Sequence, residues 1–383
     1  MASRYKVLHI ASFTGNIGDN ANHDGFRKKL ALNTGLDFAF SEFEIRKTFW
    51  KELSFDDEFV ALANKYDLIV FGGGNFFELW VDSSSSGTSI NITTERIKAI
   101  KPPIVFNALG VDIAQGCSNL ALGKFKYFLD VVSENPKNIL SCRFDGSFNT
   151  LKKILGQEYS SLFFHVPDSG IYTNTGDSDY VEIRKDKKNI IIQLAGDMLD
   201  KRFDKVQGAI SYDEFLQSLS SALVTIDNEL EANFIFVPHI FKDLEIISAV
   251  LNCLPDKLRR TNVTVAPCLL GDVGKEHLFG IYKKADLILA MRFHANVCSF
   301  GFDKPFVGLI NYAQVEYFFN EVELQHLIVD VRVSGFQVSL LDRIRFGISQ
   351  NGHMLHEKNN WDLKTKVYHE EIKRQLLLFV ERQ

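Results

Sequence analysis

Paired cysteines are missing from this chain. Its five cysteines, Cys117, Cys142, Cys253, Cys268 and Cys298, are scattered without any C-x-x-C spacing. That argues against a disulfide frame or a thiolate zinc site and fits reduced thiols in a cytoplasm. Cys298 reads as a small buried apolar residue. Long apolar runs are also missing, and none approaches the roughly 18 residues that a membrane-spanning helix requires. Positive charge is not in excess: 43 Lys and Arg face 48 Asp and Glu, for a net charge of -5. A broad basic field for nucleic acid is therefore absent. The opening residues lead straight into a short apolar run, Val7–Ala11, so no secretory signal is expected. Neither a P-loop nor a Gly-x-Ser-x-Gly nucleophile elbow occurs. Asp177-Ser-Asp179 and the pair His353 and His356 lack further ligands nearby, so no metal site is expected.

What is present is the composition of a soluble globular protein, 46% apolar and 24% charged, over 383 residues. That length suits two domains. The 33 phenylalanines are spread along the chain and read as core filling. Short apolar runs alternate with helix-like stretches. In the first half, strands are expected at 7–11, 67–71, 104–107, 139–142 and 162–166, and helices at 20–32, 55–65, 121–132 and 147–155. In the second half, strands are expected at 189–194, 233–237, 262–266, 287–290 and 306–309, with helices at 212–228, 243–253, 275–283 and 294–300. This alternation implies parallel sheets flanked by helices, an α/β protein of two βα domains. The polar stretch Tyr172–Tyr180 and the charged run Arg184–Lys188 place the boundary between residues 178 and 179. Asp82–Thr88 reads as a flexible loop, which beside a site could act as a lid. Trp361–Val380 reads as one long terminal helix of the second domain.

The chemistry-bearing residues sit at strand ends. Gly15-Asn-Ile-Gly-Asp-Asn-Ala21 follows the first strand, where Asn16 and Asp19 could grip hydroxyls, or Asp19 could simply cap a helix. Phe71-Gly-Gly-Gly-Asn-Phe-Phe-Glu78 follows another strand. Three successive glycines imply a close approach by something, with Asn75 and Glu78 facing it. Asn107-Ala-Leu-Gly-Val-Asp112 has the same character. Arg143, Asp145 and Asp168 stand at two further strand ends, where a salt bridge or a cap is the simpler role for each taken singly. In the second half, His239 ends one strand, and Arg292 and His294 end another just before a helix. A permanent cation and a titratable imidazole at a strand-to-helix turn can hold an anion and move a proton.

In order and spacing these motifs resemble the polysaccharide pyruvyl transferase family. The likeness runs from Gly15-Asn-Ile-Gly-Asp19 through Gly72–Gly74, Arg143-Phe-Asp145, Pro167-Asp168 and Pro238-His239 to Arg292-Phe-His294, followed by Gly301-Phe-Asp-Lys-Pro-Phe-Val-Gly308. It implies two Rossmann-like βα domains facing a cleft, similar to B-type glycosyltransferases. Residues 1–178 would form the acceptor side and residues 179–383 the donor side. It also implies transfer of pyruvate from phosphoenolpyruvate to a sugar of a surface polysaccharide or glycan precursor, forming a ketal, with no cofactor beyond that co-substrate. The resemblance places the donor at Arg292, Phe293, His294 and His239, with catalysis by His294, His239 and Asp168. The acceptor would meet Asn16, Asp19, Gly73, Gly74, Asn75, Glu78 and Arg143. The acceptor could be free or lipid-linked, the latter bringing a cytoplasmic protein to the inner face of the membrane. No nucleic-acid partner and no integral membrane segment are expected. The chain departs from the family at Asn311-Tyr-Ala-Gln-Val315, where members often carry a lysine. Two other readings stay open: a nucleotide-sugar glycosyltransferase using Glu316, Glu321 or Glu323, and a non-catalytic glycan-binding relative.

Overall fold

Short runs of wholly buried apolar residues form the centres of two parallel sheets in the computed structural model, which describes residues 4–204, 207–354 and 358–382. The first sheet comprises β1 (Tyr5–Ala11), β2 (Phe38–Glu44), β3 (Leu68–Gly72), β5 (Ile104–Leu109), β7 (Ile139–Arg143) and β8 (Phe163–Val166). Its order is β2-β1-β3-β5-β7-β8, and every pairing is parallel. A small parallel ladder joins β4 (Phe77–Glu78) to β6 (Val111–Asp112). The second sheet comprises β9 (Asn189–Gln193), β10 (Asn233–Phe236), β11 (Val263–Val265), β12 (Leu287–Ala290), β13 (Phe306–Ile310) and β14 (Ile328–Asp330). Its order, β11-β10-β9-β12-β13-β14, reverses direction between β9 and β12. That is the doubly wound pattern, and the reversal is where such sheets open a crevice for ligands.

The chain divides into two units. One holds Met1–Thr14, Asn22–Ser169 and Glu357–Gln383; the other holds Gly15–Ala21 and Gly170–His356. The expected boundary at 178/179 is therefore corrected to 169/170. The polar stretch before residue 180 is a packed part of the second unit. Lys283 Nζ donates to Asn174 Oδ1 at 2.9 Å and to the Thr175 carbonyl at 3.0 Å, and Lys284 pairs with Asp177. Gly280 has no room for a side chain because the Tyr180 ring lies against it.

The long terminal helix exists, as Asn359–Val380, but it belongs to the first unit. Its Tyr368, Ile372 and Leu376 are buried with Val7, Phe26, Leu30, Leu68 and Val70. Tyr368 also donates to Asn107 Oδ1 at 3.0 Å. Burying three such side chains is worth about 1.5–3 kcal/mol each, which decides where the helix docks.

Asp82–Thr88 is also not the flexible segment its composition suggests. Ser84, Ser86 and Thr88 are buried, and Ser86 Oγ bonds the Ile90 carbonyl at 2.6 Å and Thr88 Oγ1 at 2.9 Å. The hydroxyls satisfy one another, so the polar run can be internal. Four strands went unanticipated, among them the two-residue β4 and β6. β2 lies at a sheet edge with Phe43 as its one buried residue, and β14 has three residues. Among the described residues no helix is long and apolar enough to cross a membrane.

Candidate active site

The reversal of the second sheet brings the carboxyl ends of β9 and β12 side by side. β12 delivers Arg292 as the N-cap of the helix Phe293–Gly301, with no side-chain cap bond. The Arg292 N–H donates to Gln193 Oε1 at 2.8 Å, which fixes the turn to the end of β9. Its guanidinium Nε donates to Asp243 Oδ2 at 2.9 Å, and Nη2 bonds both Asp243 Oδ1 and, at 2.6 Å, Asp197 Oδ1. Burial alone would weaken the guanidinium's hold on its proton, but Asp243 and Asp197 outweigh it and keep Arg292 firmly charged. The arginine is thus where the sequence pattern places it, but two carboxylates already hold it.

Asp243 is the organising group, and it was not singled out by the motif pattern. It opens the helix Asp243–Cys253 and is fully buried. Its carboxylate also accepts from the backbone N–H of Gly196 at 3.0 Å, His239 at 2.9 Å and Ile240 at 3.2 Å. Gly196 must be glycine, because a Cβ there would lie 1.9 Å from the Lys242 carbonyl oxygen. The available signal was an acid four residues after Pro238-His239, at a helix start.

His239 lies beneath this cluster. It is fully buried, with Nε2 2.9 Å from the Tyr282 hydroxyl and its ring edge-on to Phe279. Burial, with repulsion from Arg292 and His294, holds its pKa well below the usual histidine range. A neutral, enclosed imidazole of this kind supports the site from below; the expected direct donor contact has no exposed edge to work with.

His294 occupies the first turn of the helix Phe293–Gly301 and faces the segment Gly15–Ala21, which groups with the same unit. Its Nδ1 stands 3.8 Å from Asp19 Oδ1. Gly18 makes that approach possible: a Cβ there would fall 2.4 Å from His294 Cβ. Asn16 Oδ1 accepts from the Gly18 N–H at 3.0 Å, and Asn20 donates to Asp272 Oδ1 at 3.2 Å. Asn16 and Asp19, expected on the acceptor side of the first domain, thus lie with His294. At the helix start, the Phe293 N–H donates to the Tyr312 hydroxyl at 2.7 Å. Tyr312, Arg202, Asp197 and Gln193 complete the cluster and were all missed. Glu316 and Glu321 lie on the helix Ala313–Glu321, which also begins with Gln314 near its start.

In the first unit, Arg143 is buried, with Nε bonding Asp145 Oδ2 at 2.7 Å and Nη1 reaching Asp168 Oδ2 at 3.4 Å. Burial raises the Asp145 pKa against the pull of Arg143 and Ser147. Asn75 donates to Asp112 Oδ2 at 2.7 Å, and a Cβ on Gly110 would meet Asn75 Oδ1 at 2.3 Å. Glu78 bonds Ser89, and its pKa is raised first by burial and also by Asp112. The three glycines serve internal neighbours. A side chain on Gly72 would strike Asn107, one on Gly73 would strike Asn22 and His23, and one on Gly74 would strike the Phe76 ring. Gly73 also has a φ of +77°, which glycine tolerates freely.

The profile of the polysaccharide pyruvyl transferase family matches residues 15–312, a span that opens at the Gly15 turn and closes at Tyr312. The chain belongs to that family. Comparison with curated proteins gave no match. Among solved structures, the UDP-GlcNAc 2-epimerase from Methanocaldococcus jannaschii aligns with a TM-score of 0.58 at 13% identity, covering 95% of this chain and 99% of that one. A S. aureus MnaA–UDP structure aligns at 0.55 and 12% identity, covering 97% of each chain. A glycosyltransferase from Rickettsia africae ESF-5 aligns at 0.51 and 10% identity, covering 98% and 94%. These likenesses establish the fold: two Rossmann-like units of the kind found in B-type glycosyltransferases. The family member described here keeps the Arg292-Phe-His294 turn within the matched span and has Gln314 just beyond it.

Proposed function

We propose that this chain transfers pyruvate from phosphoenolpyruvate to a saccharide, forming a ketal. The observation that carries the reading is the pairing of a charged Arg292 with a helix N-terminus and with His294 beside Asp19, all at the reversal of the second sheet. Phosphoenolpyruvate needs a fixed cation for its anionic groups, supplied by Arg292 and the helix start. It also needs a proton delivered to its methylene carbon. His294 is the donor of that proton in this reading, and Asp19, 3.8 Å from its Nδ1, orients the imidazole. Protonation leaves an oxocarbenium-like carbon, which one sugar hydroxyl attacks while its proton passes back to the His294 imidazole. The carbon–oxygen bond to phosphate then breaks and inorganic phosphate departs. A second hydroxyl closes the ketal, and its proton leaves with phosphate or buffer. His239 positions Tyr282 and the floor of the cluster without touching substrate. The scheme uses no metal, and the protein acts in the cytoplasm on a free or lipid-linked acceptor.

The test is a thermal-shift and turnover panel. Phosphoenolpyruvate should raise the melting temperature, while nucleoside diphosphates should not. Nucleotides are the natural competitors because solved structures of similar fold hold UDP or UDP-GlcNAc. His294→Ala should keep the shift and lose phosphate release. Stabilisation by UDP alone would overturn the reading, and a fully active His294→Ala enzyme would remove His294 as the proton donor.

A further inference from the structure

The guanidinium at the end of β12 has an occupant, and the occupant is part of the chain. Asp197 follows β9 directly after Gly196. Its Oδ1 accepts from Arg292 Nη2 at 2.6 Å and its Oδ2 from Arg202 Nη2 at 3.0 Å. Arg202 is nine-tenths buried, with 9% of its surface exposed. Its guanidinium carbon lies 4.7 Å from the centre of the Tyr312 ring. Its Nη1 is buried and has no hydrogen-bond partner among the described residues. Tyr312 in turn carries the first N–H of the helix Phe293–Gly301. Two arginines, one of them with a donor to spare, therefore converge on a single carboxylate beside a helix N-terminus.

The two aspartates that hold Arg292 are not equivalent. Asp243 is fully buried and takes three backbone N–H groups besides the arginine, so it cannot leave without orphaning them. Asp197 has a side chain 30% exposed, and among the described residues its carboxylate bonds go to the two arginines. Removing Asp197 from the pair breaks nothing else. We propose that Asp197 is a built-in counter-anion which the donor's phosphate displaces, so that Arg202 and Arg292 grip the phosphate together. This rests on the reading of phosphoenolpyruvate as donor for the ligand's identity. The chemistry favours phosphate over carboxylate, because a phosphate brings three oxygens to three guanidinium N–H positions, counting the spare Nη1 of Arg202, and a carboxylate brings two. Asp197 and Asp243 together balance the two guanidinium charges between turnovers, and Asp197 sets a threshold that weak anions do not cross.

The experiment is calorimetric titration of the full chain with phosphoenolpyruvate and, separately, with inorganic phosphate. The variants are Asp197→Asn, Arg202→Gln and Arg202→Lys, each checked for an unchanged circular dichroism spectrum. Asp197→Asn removes the competitor and should bind both ligands about tenfold tighter, while Arg202→Gln should bind both about tenfold more weakly. Arg202→Lys keeps charge without the fork and should fall between wild type and Arg202→Gln; it also serves if Arg202→Gln does not fold. Unchanged affinities in Asp197→Asn and Arg202→Lys, with wild type binding phosphoenolpyruvate saturably, would overturn the exchange while leaving the donor reading intact. Tighter phosphate binding by Asp197→Asn without phosphoenolpyruvate binding by any form would support the exchange and defeat the donor reading. No binding of either ligand by wild type and Asp197→Asn would overturn the exchange.

Discussion

Asp243→Ala removes the group on which the whole second-unit site hangs, and the size of the effect can be worked out. The carboxylate accepts from three backbone N–H groups and from the Arg292 guanidinium, and it is fully buried. Alanine leaves the guanidinium with Asp197 as its remaining carboxylate and leaves the backbone donors without their acceptor. Breaking a buried pair from one side costs about 3–5 kcal/mol. For a domain of about 150–250 residues, each kcal/mol moves the melting temperature by roughly 2–4 °C, so a fall of about 6–20 °C is expected. Asp243→Asn retains an acceptor for the backbone and should lie between alanine and wild type. Arg292→Met removes the other half of the pair, so the double variant Asp243→Ala/Arg292→Met should be less destabilised than the sum of its parts by about 1–3 kcal/mol. Calorimetric melting at constant pH and ionic strength gives all four corners of the cycle. A melting temperature for Asp243→Ala within about 2 °C of wild type, or strict additivity in the double variant, would refute the argument.

Gly18→Ala drives a methyl into His294 Cβ, so the imidazole must shift; turnover should fall by about 10²-fold while donor binding changes little, and unaltered turnover would show that His294 tolerates displacement. Buried His369 has its pKa lowered from 6.5 to about 3 by burial. The unfolded chain takes up that proton below pH 6.5 while the folded chain does not, so stability is lost as pH falls from 6.5 toward about 3. His369→Gln should make the stability curve shallower in that window by about 1.4 kcal/mol per pH unit, measured by urea unfolding; an unchanged slope would contradict the assignment. Ser86→Ala removes a hydroxyl that bonds the Ile90 carbonyl inside the fold and should cost about 1–3 kcal/mol, whereas a mobile surface loop would lose nothing.

Much of this fold was legible because parallel strands buried on both faces read as unbroken apolar runs. Leu287–Ala290, Asp243–Cys253 and Ser147–Leu155 match their expected limits. β2 escaped because it is an edge strand with a single buried residue, Phe43, and the Ser84–Thr88 turn misled because hydroxyl-rich sequence is polar whether or not it is buried. The boundary failed for a related reason: polarity at Tyr172–Tyr180 marks lysine-bonded packing on the helix Gly271–Lys284. The docking of the terminal helix depends on tertiary contacts that no local pattern carries. At the site, Arg292, His294, Asp19 and His239 were legible as strand-end or turn residues. Their partners were not. Asp243 looks like an ordinary helix start, and Arg202 is buried within a charged stretch, Asp200–Asp204, where no periodicity announces it. The close approach that the triple glycine implied is there, made by Asn107, Asn22, His23 and Phe76, which no local pattern names.

The most direct test of the central claim follows the second carbon of phosphoenolpyruvate. The protein would be incubated with phosphoenolpyruvate labelled with carbon-13 at that position, together with a panel of saccharide acceptors, and watched by carbon and phosphorus NMR. The account predicts that, with one acceptor class, the enol carbon signal converts to that of a saturated ketal carbon as inorganic phosphate appears in equal amount, and that His294→Ala abolishes both changes. A carbon that stays an enol with every acceptor, while a UDP-sugar is consumed under the same conditions, would contradict it.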